Sequence, residues 1–231
     1  MPHAHARFAD PVEVAPGAVV VPSFHGDDAA PFLIPVNALV LRRPAAVVVL
    51  GGMPLPATER LWSHVDPGAV RAVVATRPGA GPAADDVRAL TAVCRGATVY
   101  GSAGVPVEPG DSIEGLSVTR APGGDLGVLV PDLRLWWSSS ALATPVRHPV
   151  VDADDLDDAY WERQVAGWDP ACFDGLRAIA PDTVVSGHGM VLRGDRLRTA
   201  LADRSPPTNG AAAAALELRA ALAALAAGRW C

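Results

Sequence analysis

The chain reads NALVLRRPAAVVVLGGMPLPATERLWSHVDPGAVRAVVAT from Asn37 to Thr76, and this stretch decides the fold class. Three mainly apolar runs, the first of which starts before the stretch at Leu33, predict strands at Leu33–Leu41, Ala46–Leu50 and Val70–Ala75. Continuous apolar runs, as opposed to alternating ones, are typical of strands that are covered on both faces. The intervening Thr58–Val65 is predicted to be helical. The stretch therefore predicts a sheet with helices packed against it.

Similar short apolar runs continue along the first two thirds of the chain. They predict strands at Ala18–Val21, Ala97–Tyr100, Leu116–Arg120, Leu126–Val130, Leu133–Trp137 and Thr183–Val185. Helices are predicted at Ala83–Cys94, at Asp154–Val165, from Asp169 to about Ala180, and at Ala211–Ala227. In Ala83–Cys94, one apolar face contains Val87, Leu90 and either Val93 or Cys94. Strands mixed with helices, followed by a helical end, predict an α/β or α+β layered domain.

The composition narrows the classes of function. The 231 residues carry a formal net charge of −6 and no Lys/Arg-rich run, which argues against a nucleic-acid binder. The three cysteines are far apart and form no CxxC pair, which argues against a disulfide framework or a cysteine-built zinc site. The first residues lack the apolar core of a signal peptide. Ala211–Ala227 is interrupted by Glu217 and Arg219, so no membrane span is predicted and the cytoplasm is the expected location.

Six landmarks, in order, resemble the metallo-β-lactamase superfamily from about Ala18 to Leu192. They are the strand pair Asn37–Leu41 and Val47–Gly52, the strand ending in Thr76, the turn Pro109–Asp111, and the segments Pro122–Gly127, Leu135–Leu142 and Ser186–Gly189. The resemblance implies an αββα sandwich and an ancestry among metal-dependent hydrolases or di-iron oxygen and nitric-oxide reductase modules. The linker from Ser205 to Gly210 separates the last helix, so we expect one domain over residues 1–204, followed over 205–231 by this linker and an Ala/Leu helix that packs on the domain or extends from it.

The resemblance further implies that most of the family's metal ligands are replaced. The replaced positions are Arg77, Gly79, Gly81 and Pro82 in the HxHxDH motif, Gly124 for a histidine and Ser140 for the aspartate that bridges both metals. Only His188 is kept. Family members would use zinc or iron, but one imidazole falls short of the three protein ligands of a usual catalytic zinc site. We therefore expect no metal and no other cofactor, and we do not expect binuclear metal catalysis.

Four residues are candidates for the cleft: Arg77, Ser140, His148 and His188. Arg77 would place a planar cation where a family histidine stands, which suits a carboxylate or phosphate. The alternative for Arg77 is an ion pair with Asp85 or Asp86. The alternative for His188 is a hydrogen-bonding role in its tight turn. A new metal site built from His25, His64, His148 or His188 also stays open.

Two neighbouring segments are less informative. Ser138-Ser139-Ser140 lacks a GxSxG elbow and is interpreted as a polar loop after a strand. Trp136 and Trp137 should alternate faces, with one of them in the core.

Three functions remain possible for the protein. The first is a binding or accessory protein for a small anionic ligand or a protein partner, and the second is a residual metallo-hydrolase with a rebuilt or mononuclear site. The third is a structural subunit, with homo-oligomers left open.

Overall fold

The computed structural model describes about half of the chain, and these ranges form two packed sheets. They are residues 7–8, 11–25, 32–43, 47–51, 61–62, 64–76, 87–88, 91–102, 104–121, 125–139, 146–147, 176–187, 191–194 and 197–198. All four candidate cleft residues, Arg77, Ser140, His148 and His188, lie outside these ranges. So do the predicted helix Asp154–Val165 and everything from 201 to 231, and the proposed division into a domain and a tail stays a prediction.

The first sheet contains eight strands in the described part of the chain. They are β1 (Arg7–Phe8), β2 (Val12–Ala15), β3 (Ala18–His25), β4 (Phe32–Arg42), β5 (Val47–Leu50), β6 (Val70–Ala75), β7 (Thr98–Gly101) and β12 (Val146–Arg147). Their order is β1-β3-β4-β5-β6-β7, with β2 also paired to β3 and β12 to β4. The β5–β6 and β6–β7 pairs are parallel, because helical segments connect these strands.

The second sheet contains six strands within the same ranges. They are β8 (Ser112–Ile113), β9 (Leu116–Arg120), β10 (Leu126–Val130), β11 (Leu135–Trp137), β13 (Thr183–Val185) and β14 (Val191–Arg193). The order is β14-β13-β11-β10-β9-β8, and β11 pairs in parallel with β13 while the other neighbours are antiparallel.

Three apolar clusters define the layers. One cluster lies between the sheets and combines residues of both, among them Leu39 and Val74 of the first and Val128 and Trp137 of the second. The second cluster packs helical residues such as Leu61 against the other face of the first sheet. The third packs helical Leu176 and Leu197 against the other face of the second sheet. The helix–sheet–sheet–helix order confirms the predicted αββα sandwich.

The nine predicted strands are present, but β1, β2, β8, β12 and β14 were not predicted, and β3 extends four residues beyond its predicted end at Val21. The strand predicted at Leu133–Trp137 begins only at Leu135, because Pro131–Leu133 forms a 3₁₀ turn and Arg134 has a left-handed backbone (φ 46°). In the helical segment before Cys94, that cysteine is buried and Val93 is 45% exposed, so Cys94 completes the apolar face.

None of the helices in the described ranges combines the length and the apolarity that crossing a membrane requires.

Candidate functional site

A chain of buried side-chain hydrogen bonds lies where strands of both sheets end. Trp137 Nε1 donates to Thr76 Oγ1 over 3.1 Å, Thr76 Oγ1 donates to Ser139 Oγ over 2.9 Å, and Ser139 Oγ donates to Asp125 Oδ2 over 2.9 Å. Thr76 directly follows β6 of the first sheet, whereas the other three residues belong to β11, its following loop and the residue before β10. The chain of bonds therefore joins the two sheets.

The direction of these bonds follows from the chemistry of the two ends. An indole N–H can only donate and a carboxylate can only accept, whereas each hydroxyl can do both. Thr76 must accept from Trp137, which leaves its own proton for Ser139, and Ser139 in turn donates to Asp125. Since all four residues are at most 6% exposed, each bond satisfies a polar group that little water can reach.

Backbone hydrogen bonds bring the end of β13 to the same place. Gly187 N donates to the Ser139 carbonyl over 2.6 Å, and Asn37 N of β4 donates to the Gly187 carbonyl over 2.8 Å. The Asn37 amide Nδ2 also donates to the Ser186 carbonyl over 2.8 Å. On the other side, Leu126 N donates to the Thr76 carbonyl over 2.8 Å. We call Asn37, Thr76, Asp125, Trp137, Ser139, Ser186 and Gly187 the polar cluster.

The indole of Trp137 forms the floor of this cluster, and two glycines make room for it. A Cβ on Gly51 would lie 2.9 Å from Trp137 Cζ2, and one on Gly187 would lie 3.1 Å from the same atom. Gly51 also has a φ of +87°, which side chains disfavour. Trp136, the neighbour of Trp137 on β11, packs under the outer layer of the second sheet and donates to Thr119 Oγ1 over 2.9 Å. The prediction that the two tryptophans alternate faces is confirmed, and both are buried.

Ser139 has an unusual backbone. Its φ is +54°, a left-handed conformation that costs a residue with a Cβ about 1–2 kcal/mol. The prediction of a polar loop after a strand is confirmed for Ser138 and Ser139, but both side chains are buried. This backbone strain is consistent with a residue whose hydroxyl and carbonyl are both held by hydrogen bonds in the polar cluster.

The polar cluster adjoins four ligand positions that the resemblance implies. Arg77 directly follows Thr76, Ser140 follows Ser139, His188 follows Gly187, and Asp125 follows Gly124. The described neighbours of these positions therefore lie together where the two sheets meet; they are Thr76, Ser139, Gly187 and Asp125. Sequence reasoning singled out the four positions but missed Asp125, Thr76 and Asn37, although each adjoins or belongs to a quoted landmark.

The remaining histidine candidates lie elsewhere where their positions are described. His64 is exposed in the layer outside the first sheet, and its carbonyl accepts a bond from Arg42. His25 ends β3 opposite Ile34, three residues or about 10 Å along β4 from Asn37. The β12 residue before His148, Arg147, pairs with Phe32, farther along the same strand. His25 and β12 thus share an end of β4 that extends beyond the polar cluster.

Two titratable groups outside the cluster have perturbed pKa values. Arg43 bonds the carboxylate of Asp132 at 2.5 Å, across the opposite end of the sandwich, and this hydrogen bond lowers the pKa of Asp132. Burial raises the pKa of the Cys94 thiol to about 11, because the thiolate would lose its hydration. That thiol is expected to be unreactive.

Solved structures share this architecture at low sequence identity. A fragment from Nostoc sp. that carries the name diflavin flavoprotein superposes with a TM-score of 0.64 at 12% identity, covering 91% of this chain and 98% of the fragment. A flavoprotein from Thermotoga maritima gives 0.63 at 15% identity, but the match covers 87% of this chain and only 61% of that protein. A metallo-β-lactamase from Hirschia baltica gives 0.56 at 15% identity, covering 87% and 99%.

No protein-family model and no curated protein sequence matches the chain. The structural matches nevertheless extend along most of its length. The chain has the metallo-β-lactamase fold.

Proposed function

We propose that this protein binds a small anionic ligand, as a binding or accessory protein that works without the binuclear metal centre. The main support is the junction of the two sheets, where the polar cluster, which adjoins four ligand positions, supplies hydroxyls, an indole, amides and one carboxylate. At the positions themselves the sequence has arginine, glycine, serine and a single histidine.

These residues do not fit a binuclear centre. In the described ranges no three His, Cys, Asp or Glu side chains stand close enough to hold one metal ion. Asp125 is the one described carboxylate of the cluster, and it already accepts from Ser139. Together with His188 it would supply two ligands, fewer than the three of a usual catalytic zinc site. We therefore assign no catalytic step to a metal ion.

Arg77 is the residue best suited to attract an anion. It directly follows Thr76 of the polar cluster in the sequence, and its planar guanidinium group can form paired hydrogen bonds to a carboxylate or phosphate. His188 directly follows Gly187 of the same cluster, and we propose that it binds the anion together with Arg77. The buried carboxylate of Asp125 disfavours a second negative charge nearby, so anion binding depends strongly on Arg77.

Calorimetry with inorganic phosphate and with citrate tests this function. Losing a hydrogen bond to a charged group costs about 1.5–3 kcal/mol, so Arg77→Ala should weaken binding roughly tenfold or more. Arg95→Ala, which removes an exposed arginine of the outer layer, is the matched control and should bind as wild type does. Equal affinity in both variants, or no binding by the wild type, would contradict an anion site at Arg77.

Metal analysis tests the proposal that the protein works without a binuclear metal centre. Untagged protein should contain well under one equivalent of zinc, iron or manganese, and EDTA should leave its melting temperature unchanged, because no metal then stabilises the folded state. Two tightly held metal ions per chain would contradict it.

A residual metallo-hydrolase with a rebuilt site is the second candidate. What favours it is the shared location of His25 and β12, directly before His148, at one end of β4. A bound metal that is lost in a His25→Ala variant would support this candidate.

A further inference from the structure

The facing sides of the two sheets are apolar along most of their length, yet hydrogen bonds cross between the sheets at the site end. We infer that Thr76, Asp125, Trp137 and Ser139 form a polar clasp, a directional hydrogen-bond chain that holds the two sheets together there without a metal ion. This role goes beyond the proposed function, because it does not depend on which ligand the cleft takes.

Thr76 is the residue on which the clasp depends. It is the one member from the first sheet, so both of its hydroxyl bonds cross between the sheets, whereas the Ser139–Asp125 bond lies within the second. The hydroxyl acts once as acceptor and once as donor. A valine at this position keeps the shape of threonine but can form neither bond.

Removing that hydroxyl leaves two groups short of partners in the interior. The indole N–H of Trp137 loses its acceptor, and Ser139 loses a donor, while both side chains are almost fully buried. A buried group without its partner costs more than the bond itself contributes, because the group cannot recover a bond to water. The ends of β6 and β11 should then separate more readily.

The chain contains a control for the same chemistry, although Thr119 is half-buried whereas Thr76 is buried. Trp136 donates to Thr119 over 2.9 Å, so this pair is also an indole–hydroxyl bond. Thr119 and Trp136 both belong to the second sheet, in β9 and β11, and their bond does not cross to the first. Thr119→Val therefore removes the same kind of bond without affecting the contact between sheets.

The experiment compares Thr76→Val and Thr119→Val by thermal unfolding in buffer containing EDTA. Thr76→Val should lower the melting temperature by about 5 °C or more, and Thr119→Val by clearly less. The reason is that only Thr76→Val leaves two buried groups between the sheets without their hydrogen-bond partners. Hydrogen exchange adds a local measurement. The amide of Leu126, which donates to the Thr76 carbonyl, should exchange at least about tenfold faster in Thr76→Val than in the wild type and should be unchanged in Thr119→Val.

Thr76→Ser and Ser139→Ala complete the test if Thr76→Val proves too unstable to purify. Thr76→Ser keeps the hydroxyl and should retain slow exchange at Leu126, whereas Ser139→Ala breaks the chain and should lose it. Equal losses in Thr76→Val and Thr119→Val, or unchanged exchange at Leu126 in Ser139→Ala, would overturn the clasp. A fall in the wild-type melting temperature with EDTA would also overturn it, because a metal ion would then hold the sheets.

Discussion

Replacing Gly51 by alanine should displace the indole of Trp137, which forms the floor of the polar cluster. Gly51 directly follows β5, and its φ of +87° is one that a residue with a Cβ adopts only at a cost of about 1–3 kcal/mol. The new Cβ would also lie 2.9 Å from Trp137 Cζ2, closer than real Cβ contacts come, and 3.2 Å from the Asn37 carbonyl oxygen, which is tighter than most. Overpacking of this kind costs about 1–3 kcal/mol, so the total loss should be about 2–6 kcal/mol.

Gly115→Ala separates these two contributions. Gly115 has a similar φ of +79°, but a Cβ there would have no heavy atom within 4 Å. The control variant should therefore lose only the part caused by backbone strain. Urea unfolding of both variants, with the free energy extrapolated to water, should show Gly51→Ala about 1–3 kcal/mol less stable than Gly115→Ala.

A second substitution tests whether Trp137 is the neighbour that matters. Phenylalanine at that position has a smaller ring, so Trp137→Phe should relieve the contact with the new Cβ. The two substitutions should then be non-additive, with the double variant more stable than the sum of the single losses by about 1 kcal/mol. Equal stability of Gly51→Ala and Gly115→Ala, or full additivity with Trp137→Phe, would refute the close packing of Gly51 on the indole.

Three further predictions concern Ser139, Asp132 and Cys94. Ser139→Ala should be less stable than Ser139→Gly by about 1 kcal/mol in urea unfolding, because both lose the hydroxyl but only glycine relieves the left-handed backbone at φ +54°; the reverse order would exclude strain at this residue. Arg43 lowers the pKa of Asp132, so their ion pair should stabilise the fold fully above the unfolded-state pKa of about 3.9 and lose this effect as the pH falls through the folded-state value. Since the Asp132 side chain is 58% exposed, Asp132→Asn should cost under about 1 kcal/mol at pH 7 and less at pH 2, as measured by urea unfolding at both pH values. With the other two cysteines replaced by serine, Cys94 should react with a thiol reagent at pH 8 about a hundredfold more slowly than in urea, because burial raises its pKa to about 11; similar rates would mean that the thiol is accessible.

The strands could be predicted because their signal is local. Val70–Ala75 is apolar except for the exposed Arg71, and its valines are buried on both faces, with Val74 between the sheets and Val73 under the outer layer. The same reasoning placed the start of β11 two residues too early, because Leu133 is as apolar as a strand residue. Its 3₁₀ turn depends on the proline at 131 and on the left-handed Arg134.

The sequence by itself determined the layered fold, whereas the replacement of the implied metal ligands at Arg77, Gly124 and Ser140 stays a prediction from the resemblance. Only the tertiary structure decided that Thr76, Asp125 and Ser139 join the sheets. Thr76 and Ser139 are 63 residues apart, and a serine or threonine has no periodic signal that would name its partner. Apolar burial is set by residue type and spacing, whereas a hydrogen bond requires two particular atoms about 3 Å apart, and that distance exists only after both sheets have packed.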